Sequence, residues 1–117
     1  MRAGVIGLGD MGSGLAKNLI KNGILTTGFD LSKLRMDAFV QMGGKPAASI
    51  AEVGKNSDAV FVMVMNGEQA KSVILGENGL ASHMSKGGAV LLTATIKPLE
   101  AREIDTALQG SGVHLID

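Results

Sequence analysis

Val5-Ile6-Gly7-Leu8-Gly9-Asp10-Met11-Gly12 passes from a short apolar run into three glycines spaced G-x-G-x-x-G. So short a run does not by itself separate a strand from a buried helix turn. The residues after it decide the matter. From Met11 to Asn22, the apolar residues Met11, Leu15, Leu19 and Ile20 recur at helical spacing, Lys17, Asn18 and Lys21 fall elsewhere on the wheel, and Gly23 stands where a helix stop belongs. The opening therefore reads as strand, glycine turn, helix.

The same alternation continues along the chain. Ile24 to Asp30 reads as a second strand, and Ser32 as the N-cap of a helix carrying Leu34, Phe39, Val40 and Met42 and ended by Gly43-Gly44. Lys45 to Ala48 reads as a short third strand, and Ser49 to Asn56 as a short helix opened by the capping-box pattern Ser49-x-x-Glu52. Ala59 to Met65 is a continuous apolar run, the mark of a central strand covered by helices on both faces, with Met63 and Met65 filling gaps on one face. A helix from Glu68 to Leu75, the turn Gly76-Glu77-Asn78-Gly79 and a strand Ala89 to Leu92 follow. After Pro98 comes a helix with Ala101, Ile104, Ala107 and Leu108 inward, broken at Gly110 or Gly112 before a last strand, Val113 to Ile116. Strands alternating with helices require right-handed crossovers between parallel neighbours. The expected architecture is a single α/β domain with a doubly wound, mostly parallel sheet.

Composition narrows the function classes. The chain has 117 residues, a size at which one core forms without staples, and no Cys, which removes disulfides, thiolate nucleophiles and thiolate metal sites. Eleven Lys plus Arg balance eleven Asp plus Glu, so no basic field points to nucleic acid. The apolar run at the start is too short for a signal or a membrane span, and the default expectation is a cytoplasmic protein without membrane partners.

Each glycine of the turn has a separate physical task. Gly7 permits the tight exit from the strand, Gly9 lets backbone approach a pyrophosphate, and Gly12 lets the helix pack closely on the sheet. With the intervening Leu8, Asp10 and Met11 they form a loop whose free amides and helix dipole suit phosphate. Asp30 ends the second strand eighteen residues after Gly12, placed to accept from an adenosine ribose and to repel a 2′-phosphate. The reading is a Rossmann dinucleotide-binding fold that favours NAD over NADP.

Gly7-Leu8-Gly9-Asp10-Met11-Gly12, continued by Ala16, Asn18-Leu19 and Gly23, resembles the N-terminal signature of the β-hydroxyacid dehydrogenases, the family of 3-hydroxyisobutyrate dehydrogenase and tartronate, glyoxylate and succinic semialdehyde reductases. The resemblance continues through Asp58 to Met65, Val73 to Leu80 and Thr93-Ala94-Thr95-Ile96-Lys97-Pro98. It implies that Met65 and Asn66 line the cofactor groove, at positions where the family usually has Leu-Pro, and that Thr95 lies near the nicotinamide ribose, with Ala94 in place of a usual Ser. Val113 to Asp117 resembles the strand leading to the family's substrate segment. By that resemblance residues 1–117 are the NAD-binding domain, and the all-helical domain bearing the family's proton-transferring Lys is absent.

Hydride exchange with a short 3-hydroxy acid or its semialdehyde is the activity this implies for the whole enzyme. Within these residues no catalytic group is assigned. His83 reads as a solvated surface residue, His114 as sheet surface or a face toward the absent domain, and Lys97 has no legible cause for a lowered pKa. No spacing suits a metal. The fragment is expected to bind NAD without turnover and, with apolar surface uncovered, to self-associate as a homo-oligomer. The alternative is a free-standing dinucleotide sensor whose cofactor alters its association with a partner.

Overall fold

The computed structural model describes residues 1–64, 66–93 and 97–116. Val5 and Ile6 show how the layers are built. Both are buried, yet adjacent strand residues point to opposite faces, and these two enter different cores. The strand they close, β1 (Arg2–Ile6), lies in the middle of a sheet of six parallel strands.

From β1 the chain runs through α1 (Asp10–Lys21), β2 (Leu25–Phe29), α2 (Lys33–Gln41) and β3 (Lys45–Pro46) to one edge of the sheet. It then crosses back by α3 (Ile50–Lys55) to β4 (Ala59–Val62) on the other side of β1, and continues through α4 (Gly67–Leu75), β5 (Ala89–Leu92), α5 (Pro98–Leu108) and β6 (His114–Ile116). The strand order is β3-β2-β1-β4-β5-β6, with Val5 opposite both Gly28 and Phe61. Direction of travel reverses between β1 and β4. Such a reversal leaves a crevice at the strands' carboxyl ends, because the loops leaving the two strands diverge to opposite faces.

On one face Val5, Leu8, Ala16 and Phe39 pack together under α1 and α2. On the other, Ile6, Val60 and Val62 pack with Val53 of α3, Ile74 of α4 and Ile104 and Leu108 of α5. Phe39 lies so close to the backbone that a Cβ on Gly28 or Gly44 would come within 2.7 or 2.3 Å of its ring. That packing explains why two glycines flank it in space.

The expected order of elements holds, with differences in extent. Ser32 and Ser49 cap α2 and α3 as expected, through bonds from the Arg35 and Glu52 amides. The Glu52 carboxylate, however, reaches back to the Ala48 amide rather than to that of Ser49. α2 buries only Phe39: Leu34 is 81% exposed and Val40 is also exposed, because this helix sits toward the β3 edge, where little sheet lies beneath it. In α5, Ile104 and Leu108 face inward, but Ala107 is exposed and Ala101 half-buried. β3 is two residues long, and its Pro46 sits on an edge, where a missing amide donor costs least. β4 stops at Val62. Its neighbour β1 ends at Ile6, so Met63 makes one last bond, from its amide to the Ile6 carbonyl at 2.8 Å, and the chain then leaves the sheet. Met63 thus fills a gap against the core of Val5, Leu8, Ala16 and Phe39 as expected, but from just past the strand end, where it also lines the crevice.

Candidate functional site

The crevice between the ends of β1 and β4 is a cleft of about 280 Å³ lined by Gly9, Asp10, Met11, Gly12, Met63, Val64 and Thr93. Its floor is the glycine turn. Gly7 has φ +95°, and a Cβ there would stand 2.4 Å from the Met63 carbonyl oxygen, so both its backbone angle and its surroundings require glycine. A Cβ on Gly12 would meet the Gly7 carbonyl oxygen at 1.9 Å, which fixes how closely α1 approaches the turn. These two glycines are needed by the protein itself.

Gly9 is different. A Cβ there would meet nothing nearer than the Arg35 guanidinium, at 3.8 Å. Gly9 is also the N-cap of α1 and offers no side-chain acceptor, and among the described residues no acceptor is found for the amides of Gly9, Asp10, Met11 and Gly12. Packing does not call for a glycine here, while four adjacent N–H groups stand free at a helix start. A diphosphate fits this cradle: it would take those amides and needs the space a side chain would fill.

Asp30, just past β2, holds the turn in place. Its Oδ2 accepts from the Leu8 amide at 2.7 Å and its Oδ1 from the Ser32 amide at 2.8 Å, with Arg35 Nη1 3.6 Å from Oδ2. The side chain is 9% exposed. Ser13 Oγ adds a bond to the Leu8 carbonyl at 2.7 Å. Leu8 itself points into the core, so it meets the crevice with backbone only.

The remaining sequence-stated positions divide. Asp10 is exposed in the first turn of α1, where a carboxylate offsets the helix dipole. Met11 is 76% exposed over the cleft. Asn66 caps α4, its Oδ1 accepting from the Gln69 amide at 2.9 Å, a task open to Asn though not to Pro. Met65, Thr95 and Ala94 lie outside the described residues. His83 is half-buried rather than solvated, and its Nδ1 donates to the Gly79 carbonyl at 3.0 Å. His114 is exposed on β6.

Two contributors were missed by sequence reasoning. Thr93 donates to the Val62 carbonyl at 3.1 Å and lines the cleft beside Met63, and Arg35 stands over Gly9. For Thr93 the available signal was its place one residue past a strand end; for Arg35 there was none. Among the described residues no group of His, Asp or Glu could hold a metal ion, and no helix is long and apolar enough to cross a membrane.

The fold and this turn define a Rossmann dinucleotide-binding domain. Residues 2–117 match the family described as the NAD binding domain of 6-phosphogluconate dehydrogenase, and the chain belongs to that family. It is 38% identical over 114 residues to L-threonate dehydrogenase of Cupriavidus necator, covering 97% of this chain and 38% of that enzyme. It is 35% identical over 112 residues to NAD-dependent L-serine dehydrogenase of Pseudomonas aeruginosa, covering 96% and 38% respectively. The crystal structure of 3-hydroxyisobutyrate dehydrogenase from Salmonella typhimurium superposes with a TM-score of 0.91 at 32% identity, over 98% of this chain and 40% of that one. The chain thus spans about two-fifths of the length of these relatives.

Proposed function

We propose that residues 1–117 are the cofactor-binding part of an NAD-dependent dehydrogenase that exchanges hydride with a short 3-hydroxy acid or the matching semialdehyde. The observation that carries this is Gly9, whose missing side chain serves no packing purpose and whose amide opens a row of four unclaimed donors. When bound, the nicotinamide supplies the hydride chemistry. The chain's own residues bind and orient: Gly7, Gly9 and Gly12 shape the turn, the amides from Gly9 to Gly12 take the diphosphate, and Asp30 fixes the loop next to the adenosine ribose. On the other side of the crevice Met63 and Thr93 form the wall toward the nicotinamide end, in the reading that also assigns Met65, Asn66 and Thr95 there.

The relatives named for threonate, serine and 3-hydroxyisobutyrate are all hydroxy-acid enzymes, which supports the substrate class. Substrate binding and proton transfer fall, in this reading, to an all-helical domain of the kind that the family resemblance implies. In this reading the cofactor is drawn from the cytoplasmic nicotinamide pool, and the exposed apolar residues Leu99 and Ile116 favour association between copies. Titration calorimetry tests the proposal: saturable binding of NAD at one site per chain, with no turnover of hydroxy acids by the 117-residue chain, is expected. Absence of binding heat with NAD and with NADP would overturn it.

A further inference from the structure

The methionines among the described residues differ in what their sulfurs meet. Met36 Sδ accepts from the Asp30 amide at 3.2 Å, and Met63 Sδ from the Thr93 hydroxyl at 2.9 Å. Those two side chains and Met42 are half-buried, and Met84 is buried. Only Met1 and Met11 of the described methionines are exposed, at 85% and 76%, and among the described residues neither sulfur meets a donor. A thioether engaged by a donor is a poorer nucleophile, so access and free electron pairs single out these two.

Met11 differs from Met1 in its surroundings. It stands in the first turn of α1 and lines the cleft, and its own amide is one of the four free donors from Gly9 to Gly12. Helical side chains lean toward the N-terminus of their helix, which sets this thioether beside the turn. When a thioether sulfur attacks a hydroperoxide, an S–O bond forms and the O–O bond breaks. The sulfur gives up two electrons and the peroxide takes them. The departing oxygen carries negative charge until it takes the proton released by the newly bound oxygen and leaves as water. Free peptide donors at the positive end of a helix stabilise that charge. The sulfoxide oxygen that remains is an acceptor beside the same amides that a diphosphate needs.

We propose that Met11 is an oxidation site at which sulfoxide and bound dinucleotide exclude one another. Hydroperoxide oxidation of Met11 lowers dinucleotide affinity, and a bound dinucleotide shields the sulfur. The inference rests on the dinucleotide reading above. Both events draw on one set of donors, so their antagonism is reciprocal, and reduction of the sulfoxide reverses it.

The test treats the 117-residue chain with hydrogen peroxide, with and without saturating NAD, and then removes the peroxide with catalase. Peptide mass spectrometry follows oxidation at each methionine, calorimetry follows NAD affinity, and thermal melts establish folding. NAD is expected to slow oxidation of Met11 about fivefold or more without slowing that of Met1. The oxidised chain is expected to bind NAD about tenfold or more weakly, to melt within a few degrees of the untreated chain, and to recover its affinity after treatment with methionine sulfoxide reductase. Met11→Leu is expected to show the same NAD affinity before and after peroxide, which separates Met11 from the other methionines. Equal NAD affinity in chains oxidised and unoxidised at Met11 overturns the proposal while leaving dinucleotide binding intact. So does a loss that accompanies unfolding, or an equal loss in peroxide-treated Met11→Leu. Absence of NAD binding to the unoxidised chain would overturn the dinucleotide reading, and this inference with it.

Discussion

The Leu8 amide and the Asp30 carboxylate, 2.7 Å apart, join the glycine turn to the end of the neighbouring strand. The bond explains how a loop with three glycines holds one shape. A loop so rich in glycine loses much conformational freedom on ordering, and a nearly buried carboxylate that accepts peptide donors from both sides offsets that loss. Removing the carboxylate strands the Leu8 and Ser32 amides. Asp30→Ala is therefore expected to lower stability by about 1–3 kcal/mol and to weaken dinucleotide binding. Denaturant titration and calorimetry check the two effects, and an unchanged midpoint would deny Asp30 its structural part.

Gly12 makes a sharper demand. Its Cβ would lie 1.9 Å from a backbone oxygen, which no side-chain rotation can relieve, so Gly12→Ala must tilt α1 away from the turn. A destabilisation of about 1–3 kcal/mol is expected, several degrees in melting temperature at this chain length. Thermal melting reads it directly.

Far from the crevice, Arg2 donates to Asp58 from its guanidinium at 3.1 Å and from its backbone amide at 3.0 Å. These bonds, the guanidinium's first, hold the Asp58 carboxyl below the usual carboxylate range. A lowered folded pKa gives stability that is present above the unfolded value, near 4, and is lost as pH falls through the folded value. Asp58→Asn is expected to lower stability by a small, constant amount above about pH 4 and to lose that difference as pH falls further, which flattens the acid limb of the stability profile. Because both side chains are about half exposed, the effect is small. Denaturant melts across pH measure it.

Exposed apolar residues give a prediction about association. Leu31 is 94% exposed, Leu25, Leu99 and Ile116 are exposed as well, and β6 has a paired neighbour on only one side among the described residues. An open strand edge flanked by apolar surface favours pairing between copies. Size-exclusion chromatography is expected to show an apparent mass that rises with loading concentration. A monomer across the whole range would refute this.

Much of the architecture was legible because its signals are local. Gly7, Gly9 and Gly12 stand between an apolar run and a helical pattern, and Ser32, Ser49 and Gly43 mark helix ends by their own chemistry. What escaped depends on neighbours distant in sequence. The apolar pattern of α2 does not show that Leu34 and Val40 have little sheet beneath them, a matter of where β3 lies. Nor does the apolar run ending at Met65 show that pairing stops at Val62, since the turn at Gly7 sets that limit. The glycine pattern gave the cradle, but Arg35 comes to Gly9 only through the packing of α2 beside β2. Asp30 was legible as a site residue from its spacing, though its inward bonds to Leu8 and Ser32 were not.

Gly9→Ala tests the central claim most directly, because the added methyl group fills the space assigned to ligand and meets only the tip of Arg35. The measurement is calorimetric titration of NAD into wild type and Gly9→Ala, paired with a thermal melt of each. The account predicts that the variant melts within a few degrees of wild type and binds NAD at least about tenfold more weakly. Equal NAD affinity in the two proteins would contradict it.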